Sequence, residues 1–105
     1  MLMKQGQYNF VKRSRISEVL GFRPTYLNWE IAFQEGKVPR IQINGIDHFD
    51  LNSAVTAMYD FYVKQTATYK QMYETNNHNK KYKNLVEVYG EKARLSKIAL
   101  DKVIV

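Results

Sequence analysis

The chain has 105 residues, a formal net charge of +6, an apolar share of 45% and no cysteine. That length fits one domain, or a compact head with an extension, and the lack of cysteine excludes a disulfide frame and a thiolate metal site. No apolar run approaches the roughly 20 residues of a membrane span, and MLMKQGQYNF is too polar for a secretory signal, so the cytoplasm is the expected compartment.

In chain order, residues 8–20 predict a first helix, or a shorter one capped by Ser14 or Ser17, with Phe10, Ile16, Val19 and Leu20 on its apolar side and Lys12, Arg13 and Arg15 on its wet side. Gly21 ends it, because glycine enters the left-handed region without a Cβ clash. A second helix is expected over about 24–35. Pro24 suits a first turn, where no amide hydrogen is missed. Tyr26, Leu27, Trp29, Ile31 and Phe33 are available for packing, with Thr25, Asn28 and Glu35 on the less apolar side.

Gly36 closes this helix. Arg40-Ile41-Gln42-Ile43 alternates like a half-buried strand, and Asn44-Gly45 is a strong hairpin signal, so Ile46 to Leu51 reads as the return strand. A third helix starts at Asp50 or Asn52 and runs to about Glu74. Leu51, Val55, Met58, Tyr59, Tyr62, Val63, Tyr69, Met72 and Tyr73 fall at helical spacing along it. TNNHNKKYKN reads as a linker, centred near 75–81. A fourth helix covers about 81–103, with a kink or break possible at Gly90.

The expected fold class is therefore mostly α: a winged helix-turn-helix head with a short β-hairpin over residues 1–52, followed by long C-terminal helices over 53–105. Helix, turn, helix and hairpin is the order of a module that places a helix in the major groove. Charge agrees with a polyanion partner. Residues 1–50 carry seven Lys/Arg against five Asp/Glu, and residues 76–105 carry seven against three.

A recognition helix contacts bases through its first turns, which nominates Arg23, Thr25, Tyr26 and Asn28. Arg23 suits guanine and Asn28 suits adenine, each through a bidentate pair. Lys12, Arg13 and Arg15 are placed for phosphates, and Lys37, Arg40 and Asn44 for marginal contacts from the wing. Trp29 reads as core. Val55, Met58, Tyr59, Tyr62, Tyr69, Tyr73, Leu85 and Tyr89 read as a helix–helix or subunit interface, giving a homodimer or higher homo-oligomer. Asp47-His48-Phe49-Asp50 would point its ligating groups to alternate faces of a strand, which argues against a metal. No phosphate loop, cysteine nucleophile or histidine pair is present, so binding without cofactor or catalysis is expected.

The segments ISEVLG at 16–21, TYLNW at 25–29 and EGKVP at 35–39 resemble the winged helix-turn-helix shared by excisionases, MerR-type regulators and small terminase subunits of tailed phages. One departure is the spacing from Gly21 to Gly36, fifteen residues and longer than the family pattern, which predicts a longer second helix. EKARLSKIALDKV at 91–103 resembles the Ala-Arg-Leu-Thr-Lys-x-x-x-Asp-Lys stretch of lambda-like small terminase subunits, through Ala93, Arg94, Leu95, Ser96, Lys97, Asp101 and Lys102. This resemblance implies recognition of double-stranded DNA at a packaging site and delivery of that DNA to a large terminase subunit, in the host cytoplasm. An excisionase-like or transcriptional DNA-binding protein is the alternative. From a different class comes a structural protein whose basic tail engages an acidic partner. The apolar end Val103-Ile104-Val105 suggests a fragment, or a tail that pairs with another copy.

Overall fold

The computed structural model describes residues 8–103, apart from the side chain of Glu35. Its elements are strand β1 (Phe10–Val11), helix α1 (Arg13–Leu20), helix α2 (Tyr26–Ala32), a 3-10 turn (Gln34–Gly36), strands β2 (Arg40–Ile43) and β3 (Ile46–Asp50), and helices α3 (Leu51–Thr75) and α4 (Lys80–Val103). The fold is mostly helical, with a winged helix-turn-helix head, a three-stranded antiparallel sheet and long C-terminal helices. Ile104 and Val105, the apolar tip noted in the sequence, lie outside the described residues.

Local chemistry sets most element ends. Gly21 adopts φ 86° and its N–H reaches the Ser17 carbonyl, closing α1. Thr25 caps α2, its hydroxyl accepting from the Asn28 N–H at 3.2 Å. Asn44 and Gly45 both have positive φ, as a two-residue hairpin turn requires, and they bring Ile43 opposite Ile46. The Asp50 carboxylate caps α3, accepting from the Ser53 N–H at 3.1 Å and the Ser53 hydroxyl at 2.7 Å. It also accepts from the Asn9 N–H at 2.8 Å, so one side chain starts a helix and anchors the first strand.

Several expectations are corrected. The first helix is shorter than 8–20, because Phe10 and Val11 pair with Asp50 and Phe49 of β3. The second helix is not lengthened: the extra residues before Gly36 form the 3-10 turn. The linker shrinks to residues 76–79, between α3 and α4. Gly90 does not break α4, which is continuous. Residues on both sides of the expected division at 52/53 contribute to one core. It takes Ile16 and Leu20 from α1, Trp29 and Ala32 from α2, Phe49 from β3, Val55, Met58 and Tyr62 from α3, and Ala99 from α4. The first half of α3 and the C-terminal half of α4 are therefore part of the head's interior.

A Cβ added at Gly90 would stand 3.8 Å from the Thr66 methyl, an ordinary contact. Gly90→Ala should then stabilise the fold by about 1 kcal/mol through helix propensity alone. Thermal unfolding should show the midpoint rising by several degrees; a lowered midpoint would mean that α3 and α4 pack too closely there for a methyl.

Candidate nucleic-acid interface

Helix α2 is short, and its phase is fixed by what it buries. Asn28, Trp29 and Ala32 face the core. The outer face is left with Tyr26, 70% exposed, and Leu27, 65% exposed, beside Ile31 and Glu30. This corrects two expectations. Leu27 and Ile31 were assigned to packing and instead form an exposed ridge. Asn28 was assigned to adenine, yet only 4% of it is exposed, and its side-chain amide donates to the Tyr62 hydroxyl at 3.3 Å. It cannot reach a base. A buried amide needs a partner, and here the partner is a tyrosine 34 positions away, which no local pattern announces.

Arg23, Thr25 and Tyr26 are exposed at the start of α2. Arg23 and Tyr26 line an open cleft of about 860 Å³ together with Ser14, Ser17 and Glu18 of α1. On the other flank, Ile31 and Gln34 share a shallow depression with Lys37 and with Asp60, Phe61 and Lys64 of α3. Cations thus stand on both sides of the α2 ridge. Lys64 went unnoticed in the sequence because its position on α3 relative to α2 is a product of folding. Its only sequence signal is a place outside the apolar stripe of that helix.

The other basic candidates divide. Lys12 is exposed at the cap of α1, and Arg15 is exposed with an ion pair to Glu18 at 3.1 Å. Arg13 is half-buried, with its side chain 35% exposed and lying against the aromatic rings of the core. Its guanidinium carbon lies 5.1 Å from the centre of the Phe49 ring and 5.9 Å from that of Trp29, and it is 3.9 Å from Glu30. In the hairpin, Arg40 pairs with Asp47 at 3.7 Å, and its guanidinium carbon lies 5.8 Å from the centre of the Phe49 ring. Asn44 is exposed at the tip. Asp47, His48 and Asp50 each have separate partners: Arg40 and Gln42, the Ile46 carbonyl, and the Ser53 and Asn9 amides.

The subunit interface expected from the tyrosine stripe is largely occupied within the chain. Val55, Met58 and Tyr62 are fully buried in the core. Tyr89 of α4 stacks edge-on against Tyr69 at 5.2 Å and meets Tyr62 at 5.8 Å, while Tyr73 packs on His78 at 4.9 Å. Tyr59 and Leu85 are half-buried. Because the chain reverses at 76–79, α4 covers the face that was assigned to a second copy.

No family model, curated protein or solved structure matches the chain. Among the described residues, no helix is long and apolar enough to cross a membrane, and no cluster of histidine and carboxylate side chains is arranged to hold a metal.

Burial pushes the Tyr62 hydroxyl up to about 12 from its ordinary 10, partly offset by the Asn28 bond. The fold therefore favours the neutral phenol. Its contribution is fully present below about pH 10 and is lost as pH rises from 10 to 12. In an ultraviolet titration one tyrosine should ionise near the top of that range, and Tyr62→Phe should abolish that step. Asn28→Ala should cost about 1–3 kcal/mol in denaturant unfolding by leaving the hydroxyl unpartnered.

Proposed function

We propose that this chain binds double-stranded DNA without catalysis, entering the major groove with α2. The observation that carries the reading is the setting of that helix in a helix-turn-helix with a hairpin wing. Its outer face is exposed, with Arg23 on one flank and Lys37 and Lys64 on the other. A helix 10–12 Å across fits a groove about 12 Å wide, and cations on both flanks suit the two phosphate strands beside it. Lys12 and Arg15 extend the basic surface along α1.

Within this reading we favour a part in phage genome packaging, as a small terminase subunit that marks viral DNA for a large subunit. Support comes from the likeness of residues 91–103 to that family. In the fold, Ser96 of this stretch is buried and Ala93 packs against the core, while Lys97 pairs with Asp101 at 2.9 Å. The segment thus joins the helical arm to the head. An excisionase-like or transcriptional role would use the same head. A homo-oligomer now requires another surface on the long helices, where Val63, Val88 and Ile98 remain exposed.

Affinity for duplex DNA should fall linearly with salt on a double-logarithmic plot, with a slope of about −0.9 per phosphate neutralised. Lys64→Ala should weaken all duplexes alike and make that slope shallower by about one unit. Arg23→Ala should instead relax preference at one base position. Salt-independent binding, or none at any salt, would reject the proposal.

A further inference from the structure

The outer face of α2 is unusual for a helix assigned to a polyanion. Leu27 and Ile31, four residues apart, form an apolar ridge on the solvent side. Leu27 is 65% exposed, whereas Ile31 is 37% exposed with its inner side against α3, and the buried contacts of α2 are made by Asn28, Trp29 and Ala32. We infer that the Leu27–Ile31 ridge reads thymine by contact with its 5-methyl group in the major groove. The assignment rests on the DNA-binding reading above and adds a specificity to it.

Three features favour this occupant over a protein. The ridge begins in the first turn of α2, where a groove-bound helix meets base edges. It is bordered by Arg23 on one side and by Lys37 and Lys64 on the other, a charge pattern complementary to phosphate strands on either side of the helix. Asp60 lies on the second flank and offsets part of that charge. Finally, the loss of Asn28 to the interior leaves α2 no amide with which to read bases. Among base edges in the major groove, only thymine presents a methyl group, and apolar side chains recognise it. The ridge therefore selects thymine on the strand it touches.

The test uses the full chain and duplexes enriched from a random 20-base-pair library, of about two helical turns. In the enriched duplex each thymine is replaced in turn by deoxyuridine, which removes the methyl and leaves every hydrogen-bonding group in place. At one or two positions wild type should lose about fourfold in affinity, the equivalent of about 0.8 kcal/mol for one apolar carbon. Leu27→Ala or Ile31→Ala should lose a similar amount on the thymine duplex and become indifferent to uracil at the matching position. Leu27 is the more exposed of the two, so its variant should keep the wild-type melting temperature, and far-ultraviolet circular dichroism should show that both variants fold.

Wild type that ignores uracil at every position overturns the inference, as does Leu27→Ala that keeps full sensitivity, or a library that fails to enrich. If salt-dependent binding to unselected duplex persists in those cases, the DNA-binding reading survives and only thymine recognition falls. Absence of binding to any duplex removes both. Unchanged DNA affinity in Leu27→Ala, with a lower oligomeric state in sedimentation, reassigns the ridge to a protein contact and equally overturns it.

Discussion

Tyr62 sits on α3 with its ring fully enclosed, and three other parts of the chain converge on it. Phe22, in the turn between α1 and α2, meets its ring edge-on at 5.5 Å. Tyr89 approaches from α4, and the Tyr62 hydroxyl accepts a hydrogen bond from the Asn28 side-chain amide of α2. Because a buried hydroxyl left without a partner is costly, rotation of α2 about its own axis is penalised. With Asn28 held inward, Tyr26, Leu27 and Glu30 must point outward. The chemical character of the exposed helix face is thus decided by a polar contact in the interior.

The same convergence makes the head and the long helices one body. Lys92 of α4 extends its ammonium group over the rings of Tyr89, Tyr62 and Phe22, at 5.4, 5.8 and 6.0 Å. A cation near three ring faces gains from their quadrupoles while its methylene stem covers apolar surface. Arg13 does comparable work at the sheet, where it spans Phe49 and Trp29. Two residues that count toward the basic charge are thus spent on internal cohesion, and the surface available to a polyanion is narrower than the net charge suggests.

What could be read from the sequence was the chemistry that acts over a few residues. Gly21, Asn44-Gly45 and Asp50 each set a helix or strand boundary through their own side chain or its absence, and each boundary follows, whereas Pro24, expected in the first turn of the second helix, precedes the Thr25 cap. Strand β1 was not legible, because two residues carry no period and their pairing partners lie forty positions onward. Nor was the phase of α2. Apolar residues at 26, 27, 29, 31 and 33 surround the helix rather than choosing a side, and the deciding contact is with Tyr62. The stripe on α3 announced burial correctly, but a helical stripe does not say whether the covering helix belongs to the same chain. As for the interface, Arg23 was nominated by its place before the helix. Lys64 is a neighbour only in three dimensions.

Strand β3 lies in the middle of the sheet, protected on one side by the two residues of β1 and on the other by β2. The bond from the Leu51 amide to the Asn9 carbonyl, 2.9 Å long, completes that cover. A chain trimmed to begin at α1 would bare the β3 edge beside Phe49 and remove the Asn9 amide from Asp50. Open strand edges recruit other strands, so such a shortened protein would be prone to aggregate even though every helix of the head remained. A segment with hardly any secondary structure of its own therefore acts as the guard that keeps the sheet from joining its neighbours.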